Sequence, residues 1–272
     1  KGIAAAIDES RCANDVPRME LLAARDALLV KFFPPDLIDI YFDKIEALSV
    51  RPSQTRAIRI VYTPLHGVGE RYVRIAMTRA RFGDYTTVAE QATPDGDFPT
   101  VAFPNPEEKG AMDLAFAVVE REGAELILAN DPDVDRLAVA VPRPGGGYVQ
   151  LTGNQVGTLL GHYLLTGSAA CLSDAPRVEN ASKKLVIASI VSSPMLGAIA
   201  RAVGVRYEET LTGFKWIANR AMELERTEGL TFVFGYEEAL GYTVGNLVRD
   251  KDGISAAVVF SELAAVLATG GR

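Results

Sequence analysis

Three aspartates lie at alternate positions in the stretch LILANDPDVDRLAVAV, residues 126–141. They are Asp131, Asp133 and Asp135, and Arg136 follows them directly. Three carboxylates this close in sequence repel one another unless a positive centre offsets their charge. Because oxygen is the ligand type on offer and no histidine or cysteine lies nearby, the pattern favours a hard cation such as Mg²⁺.

The geometry of such a site requires the aspartate loop to curl. In an extended strand, carboxylates at alternate positions would stand about 7 Å apart, too far to share one ion, and Pro132 helps to bend the chain. A calcium EF-hand is excluded, because the sixth position of the aspartate loop is not glycine and Pro142 stands where an EF-hand has its bidentate glutamate. Two other interpretations stay open: an acidic turn without metal, and a haloacid-dehalogenase-type phosphatase with a nucleophilic aspartate after a buried strand.

Two further loops carry polar groups directly after predicted strands. ETLTGFKWI places Thr212, Gly213 and Lys215 at a strand-to-helix junction, where free backbone N–H groups and a lysine suit an anionic oxygen. FGYEEALGY places Glu237 and Glu238 after a buried strand. Carboxylates in that position either accept hydrogen bonds from sugar hydroxyls or belong to a solvated turn.

Other conspicuous residues have plainer interpretations. His66 in TPLHGVG could be an acid/base group, but a lone histidine in a tight turn is more often structural. We expect Phe214 and Trp216 to pack the helix that they begin. We expect Asp95 and Asp97, in a segment rich in turn formers, not to be metal ligands.

Composition limits the classes of protein and partner. The chain has 272 residues, 48% of them hydrophobic and 23% charged, which is typical of a globular protein with two domains. No apolar run reaches the ~18 residues of a membrane span. No signal peptide is recognisable, and Cys12 and Cys171 lie far apart, so we expect a cytoplasmic protein without a disulfide. A net charge of −7 without a Lys/Arg cluster argues against nucleic acid or an anionic membrane as partner.

Alternating helix and strand patterns predict an α/β protein with two successive layered domains. Their sheets should be mixed and largely parallel, with helices on both faces. The predicted strands are residues 57–63, 125–130, 137–142, 184–191, 205–210 and 231–236. The predicted helices are residues 17–30, 35–49, 70–83, 110–122, 152–165, 214–226 and 254–267, with one more beginning at Ser193–Pro194. We place the first domain at 1–167, a polar linker at 168–183 and the second domain at 184–272. In such sheets ligands bind at the carboxyl ends of strands, where the polar loops fall.

Six stretches together resemble the α-D-phosphohexomutase family, the phosphoglucomutases and phosphomannomutases. They are YTPLHGVG, FPNPEEKGAMDLA, NDPDVDRLAVAV, LTGNQVG, ETLTGFKWI and GYEEALGY. The stretches follow the family's order and cover nearly the whole chain. Members of the family have four domains, and this chain resembles the second and third, so residues 1–18 would lead in from a first domain.

The resemblance assigns roles to the aspartate loop. It implies that Asp131, Asp133 and Asp135 hold Mg²⁺ and that Arg136 contacts the phosphoryl region.

The resemblance also assigns roles to the two later loops. It implies that Thr212, Gly213 and Lys215 help to orient the substrate and that Glu237, with Glu238, binds sugar hydroxyls. The serine that usually follows these glutamates in the family is Ala239 here. This difference weakens the transfer of a hydroxyl contact to that position.

The implied reaction moves a phosphoryl group between positions 1 and 6 of a glucose or mannose phosphate. In the family, a phosphoserine donates the group and glucose 1,6-bisphosphate is the intermediate. No T-A-S-H-N-P-like serine loop occurs in this sequence. We therefore expect a hexose phosphate as ligand, the first and fourth domains of the same polypeptide as partners, and no turnover by these 272 residues alone. A catalytically inactive sugar-phosphate-binding module is a further alternative.

Overall fold

The computed structural model describes residues 2–10, 12–34, 36–167 and 179–270. The chain divides into two compact units, residues 1–40 and residues 41–272. The first unit contains two short helices, α1 (Gly2–Asp8) and α2 (Leu21–Asp26). Helix α2 is shorter than the predicted 17–30, since Leu28 adopts a left-handed φ of 58°. Helix α3 (Leu37–Glu46) continues from the first unit into the second.

The second unit begins with a five-stranded mixed sheet. Its strands are β1 (Ile60–Thr63), β2 (Tyr85–Thr87), β3 (Leu126–Ala129), β4 (Ala138–Pro142) and β5 (Tyr148–Gln150). The strand order is β2-β1-β3-β4-β5. Strand β1 pairs in parallel with β2 and β3, and the β3–β4 and β4–β5 pairs are antiparallel. Helices α4 (Gly69–Arg79) and α5 (Asp113–Glu122) pack against it.

A four-stranded mixed sheet follows. Its strands are β6 (Lys184–Ser189), β7 (Arg206–Thr210), β8 (Thr231–Glu237) and β9 (Gly241–Val244), in the order β7-β6-β8-β9. Strand β6 pairs in parallel with β7 and β8, and β9 is antiparallel to β8. The accompanying helices are α6 (Gly153–Thr166), α7 (Met195–Ala202), α8 (Phe214–Glu228) and α9 (Gly253–Thr269). The two mixed sheets with their packed helices confirm the predicted α/β fold class.

One cluster of buried apolar side chains includes residues of both sheets. Helix α6 contacts β4 of the first sheet and β8 of the second, and α9 contacts β3 and β9. These two helices therefore join the sheets within the second unit. The domain division at 168–183 stays a prediction, and residues 168–178 of that linker lie outside the described residues.

Some predicted boundaries differ from the structure. Helix α4 ends at Arg79, before the predicted Gly83, because Arg81 takes a left-handed φ of 67°. Strands β2, β5 and β9 were not predicted. In the described part of the chain, no helix is both long enough and apolar enough to cross a membrane.

Candidate active site

The aspartate loop, residues 130–137, connects β3 to β4 at the carboxyl end of β3. One carboxylate oxygen from each of Asp131, Asp133 and Asp135 lies within 4.8 Å of the others. The loop curls because the N–H of Val134 donates to the carbonyl of Asp131 at 3.0 Å and Val134 adopts a φ of 66°. A positive φ is unfavourable for a β-branched residue, so the surrounding structure must hold this turn.

Two cationic side chains approach the three carboxylates. The backbone N–H of Arg136 donates to Asp131 Oδ1 at 3.0 Å, and Arg136 Nε lies 3.4 Å from Asp131 Oδ2 and 3.8 Å from Asp135 Oδ1. Lys251 Nζ lies 2.8 Å from Asp135 Oδ2. Arg136 therefore lies beside two of the three carboxylates, and its contact with a phosphoryl group stays a prediction. Lys251 was not predicted.

The charges of the aspartate loop are compatible with a further bound cation. Burial raises the pKa of Asp131 to about 6, and the charges of Asp135 and Asp133 act in the same direction, against the N–H and guanidinium of Arg136. Oxygen Oδ1 of Asp135 is buried and has no hydrogen-bond partner. A donor set made only of carboxylate oxygens suits Mg²⁺. The residues present therefore fit a hard divalent cation.

Neighbouring segments fix the position of the aspartate loop. Tyr62 donates its hydroxyl to Asn130 Oδ1 at 2.9 Å, and Asn130 Nδ2 donates to the carbonyl of Arg136. The loop's Pro132 lies against Gly67, where an added Cβ would come within 2.2 Å of the proline Cα. The glycine of the YTPLHGVG stretch is thus required by this close approach.

His66 belongs to the same supporting turn. It is buried, has a φ of 61°, and its Nε2 lies 2.8 Å from Thr100 Oγ1. Its backbone N–H donates to the carbonyl of Gln91 at 3.0 Å. These contacts favour the structural interpretation of this histidine.

The two later loops meet at the carboxyl end of β8. The backbone N–H of Gly213 donates to Glu237 Oε1 at 2.5 Å. The hydroxyls of Ser189 and Ser192 donate to Glu238 Oε2 at 3.2 and 3.3 Å. The structure therefore brings the predicted Gly213 and Glu237 together and adds two serines that were not predicted as site residues.

The exposure of these residues corrects two expectations. A solvated turn was one interpretation of the Glu237–Glu238 loop, but Glu237 is only 8% accessible and accepts the N–H of Gly213. Trp216 is 45% exposed, so of the expected helix-packing pair only Phe214 is buried. Thr212 and Lys215 are exposed, and the Lys215 ammonium lies 5.4 Å from the centroid of the Trp216 ring.

The aspartate loop and the Glu237–Glu238 loop are joined directly. The N–H of Leu137 donates to the carbonyl of Leu240 at 3.0 Å, and Arg136 forms an isolated antiparallel bridge with Gly241. On the other side, Gly153 at the start of α6 lies so close to the carbonyl of Glu238 that an added Cβ would be 1.8 Å from its oxygen. The aspartate loop and the Glu237–Glu238 loop are therefore adjacent and joined through their backbones.

Glu107 is a further residue that the sequence did not identify. Burial raises its pKa, the charge of Arg136 opposes this shift, and the charge of Glu238 adds to it. Glu107 is thus within electrostatic reach of both loops. It lies in FPNPEEKGAMDLA, one of the six stretches that resemble the family, and this was the sequence signal that could have identified it.

The sequence relatives agree with this arrangement. The family model "Phosphoglucomutase/phosphomannomutase, alpha/beta/alpha domain II" matches residues 39–146, and the corresponding domain III model matches residues 152–270. The chain is 43% identical over 272 aligned residues to a probable phosphomannomutase of Haemophilus influenzae, with 97% of the chain and 49% of that protein covered. It is 45% identical over 213 residues to a phosphopentomutase of Mus musculus, with 78% and 34% covered.

A solved structure shares the fold. A putative phosphomannomutase from Thermus thermophilus superposes with a TM-score of 0.68 at 20% identity, covering 88% of this chain and 49% of that one. The chain spans between about a third and a half of the length of these proteins. Because two consecutive domain models of this family match most of the chain, the chain belongs to the phosphoglucomutase/phosphomannomutase family.

Proposed function

We propose that this chain is the central part of a sugar-phosphate mutase, which moves a phosphoryl group between positions 1 and 6 of a hexose phosphate. The observation that carries the proposal is the direct connection between the carboxylate cluster and the Glu237–Glu238 loop, through Leu137 and Leu240. A phosphoryl group held at the first loop would lie beside a sugar held at the second.

Asp131, Asp133 and Asp135 would hold Mg²⁺ in this proposal. When bound, Mg²⁺ supplies positive charge that offsets the negative charge on a transferring phosphoryl group. Arg136 lies within 4 Å of two of the carboxylates and would carry a further positive charge on the same side. Positioning and charge stabilisation account for most of the catalysis of phosphoryl transfer, so the fixed loop is suited to this reaction.

The sugar would be bound by the second pair of loops. Glu238, half-buried beside the buried Ser189 and the half-buried Ser192, offers a carboxylate to a ligand, and Ser192 adds a hydroxyl. Thr212 and Lys215 are exposed next to Gly213 and are available to an anionic oxygen. Glu237 would fix the Gly213 turn as well as accept a sugar hydroxyl.

The phosphoserine and the phosphate-binding part of the reaction would come from the first and fourth domains of the same polypeptide. The serine-loop pattern does not occur among the 272 residues. The relatives that match this chain are two to three times as long as the matched region. Glucose 1,6-bisphosphate would be the intermediate that turns over between the two half-reactions.

Two substrate classes have specific support. A hexose phosphate is favoured by the phosphomannomutase relative, and a pentose phosphate is the second candidate because the mouse relative is named a phosphopentomutase. Ala239, in place of the family's usual serine, removes a hydroxyl from the loop that would contact the sugar. The family assignment argues against a dehalogenase-type phosphatase.

Ligand selectivity tests the proposal. Trp216 is the one tryptophan in the sequence and is exposed beside Gly213, so its fluorescence reports on this loop. With Mg²⁺ present, we expect glucose 6-phosphate and mannose 6-phosphate to bind at least several-fold more tightly than ribose 5-phosphate. Tighter binding of ribose 5-phosphate would favour the pentose candidate, and binding of none of the three would contradict both. Calorimetry on the same samples detects binding that leaves the fluorescence unchanged.

A further inference from the structure

Lys251 is held at a fixed point of the backbone beside the aspartate loop. It precedes Asp252, which caps α9 by accepting the N–H groups of Ile254 and Ser255 at 3.0 and 3.3 Å. Asp252 also accepts the hydroxyl of Tyr41 at 2.9 Å. The main chain from which the Lys251 side chain starts is therefore anchored by buried contacts.

The ammonium group of Lys251 is directed to the aspartate loop. Its Nζ lies 2.8 Å from Asp135 Oδ2 and 3.4 Å from Asp250 Oδ1. Asp250 is largely exposed, whereas Asp135 is half-buried, so the pair with Asp135 is the less screened of the two. Asp135 thus already has a cationic partner on one of its two oxygens.

The space for this side chain is built into the second sheet. A Cβ added at Gly241 would lie 2.5 Å from Lys251 Cδ, so a larger residue there would displace the lysine. The ring of Phe214, at the start of α8, has its centroid 5.8 Å from Nζ. The lysine therefore connects the aspartate loop, the first residue of β9 and the beginning of α8.

We propose that Lys251 acts as an internal counter-cation of the aspartate loop and lowers the affinity of this loop for a divalent cation. The inference rests on the metal site of the proposed function. Asp135 cannot give its full charge to a metal while it neutralises an ammonium group 2.8 Å away. A single and a double positive charge around one carboxylate repel each other, and even with the screening of bulk water this repulsion weakens metal binding by roughly tenfold.

The remaining charged groups around the loop do not replace this effect. Arg136 Nε is 3.8 Å from Asp135 Oδ1, the buried oxygen without a hydrogen-bond partner, while Lys251 occupies Oδ2. Asp131 and Asp133 supply negative charge only. Removal of Lys251 therefore leaves Asp135 Oδ2 without this cationic partner, while Oδ1 keeps only Arg136 Nε at 3.8 Å.

Metal binding without substrate tests the proposal on the 272-residue chain. Mn²⁺ is a suitable probe because it also prefers carboxylate and water oxygens, and its free concentration is measured by electron paramagnetic resonance. We expect Lys251→Met to bind Mn²⁺ roughly tenfold more tightly than the wild type. Lys251→Arg keeps the charge and should bind as the wild type does. Lys251→Gln replaces the Met variant if that variant does not fold by circular dichroism.

The matched control removes the same charge elsewhere. Lys44→Met alters an exposed residue of α3 and should leave the affinity within about twofold of the wild type, because solvent and salt screen distant exposed charges. Equal or weaker Mn²⁺ binding by Lys251→Met would overturn the inference while leaving the metal site in place. Absence of Mn²⁺ binding in both wild type and variant would instead contradict the metal site of the proposed function and the inference with it.

Discussion

Glu237 is buried where two loops meet. It is the last residue of β8, it is buried, and its carboxylate accepts the N–H of Gly213 from the loop before α8. A buried carboxylate that lacks its hydrogen-bond donor costs free energy. This hydrogen bond therefore fixes the Gly213 loop relative to the end of β8. The next residue, Glu238, accepts the hydroxyls of Ser189 at the end of β6 and of Ser192 after it.

We predict that Glu237→Gln weakens hexose phosphate binding and also lowers stability by about 1 kcal/mol, because an amide is a weaker acceptor than a carboxylate for the Gly213 N–H. Calorimetry and urea unfolding measure the two effects. Glu90→Gln, at an exposed glutamate, is the control. A variant that binds hexose phosphate as the wild type does would place Glu237 in a purely structural role.

At the level of single residues, the sequence predicted what local spacing determines. Asp131, Asp133 and Asp135 lie close together along the chain, so any curled loop brings them together, as the structure does. Lys251 could not be found this way, because its pairing with Asp135 depends on how α9 packs beside β3. The burial of Glu237 likewise depends on the distant Gly213.

Among the elements, the turn before α4 packs directly against the aspartate loop. Gly67 lies against Pro132, and the N–H of Val68 donates to the Pro132 carbonyl at 3.0 Å. The turn itself contains residues with positive φ at Leu65 and His66. The two loops thus pack backbone to backbone, with no space for a side chain at Gly67.

We predict that Gly67→Ala lowers the free energy of unfolding by about 1–3 kcal/mol, since the added methyl group forces the two backbones apart. The displacement should also weaken Mn²⁺ binding at the aspartate loop. Gly96→Ala is the matched control, because an added Cβ there meets no atom within 4 Å. Unchanged stability in thermal and urea unfolding would show that the loops can separate without cost.

Helix α9 carries a buried ion pair in its second half. Glu262 lies 2.5 Å from Arg56 Nη2 and accepts the hydroxyl of Tyr163 at 2.6 Å. It also accepts the backbone N–H groups of Val50 and Arg51 at 2.8 and 2.9 Å. Burial alone would raise the pKa of Glu262, but the hydrogen bonds of Ser49 and Tyr163 and the charge of Arg56 hold it below its usual value.

A lowered carboxyl pKa stabilises the fold above the pKa of the unfolded chain, and this contribution is lost as the pH falls through the folded value. We predict that Glu262→Gln costs about 3–5 kcal/mol at pH 7, because it leaves the buried Arg56 without its charge partner. The difference between wild type and variant should shrink once the pH falls below about 4.5. Urea unfolding across this range measures it, and a constant difference from about pH 7 to about pH 3.5 would contradict the account.

Element boundaries were predictable where the local signal was strong. The capping box of Thr152 and Gln155 predicted the start of α6, and both of its hydrogen bonds are present. Strand β2 has three half-buried residues, and β9 begins with glycine after a tight turn, so neither has an alternating or continuous apolar pattern of sufficient length. Their pairing with longer strands makes them strands.

For the molecule as a whole, the contact between the aspartate loop and the Glu237–Glu238 loop depends on both sheets. The aspartate loop belongs to the first sheet and the Glu237–Glu238 loop to the second, and α6 and α9 pack on both sheets. The alternation of helices and strands predicted the two layers, but which loops meet is a tertiary property. The placement of the loops at the carboxyl ends of strands and the series of six motifs were the sequence signals that predicted a common site.

We predict that the 272-residue chain does not interconvert glucose 1-phosphate and glucose 6-phosphate, even with added glucose 1,6-bisphosphate. No residue in the sequence matches the serine loop that would accept the phosphoryl group. A coupled dehydrogenase assay measures the rate, with protein purified from a host that lacks its own phosphoglucomutase. Turnover above the buffer blank would show that the phosphoryl-accepting group lies within these residues.

The most direct test of the joined metal and sugar site is the metal dependence of glucose 1,6-bisphosphate binding to this chain, measured by calorimetry with and without Mg²⁺. We predict that Mg²⁺ strengthens binding and that Asp133→Asn, at the exposed member of the cluster, abolishes this effect without unfolding the protein. Asp97→Asn, an exposed aspartate outside the cluster, should behave as the wild type does. Bisphosphate binding that is equally strong without Mg²⁺ and in Asp133→Asn would contradict the account.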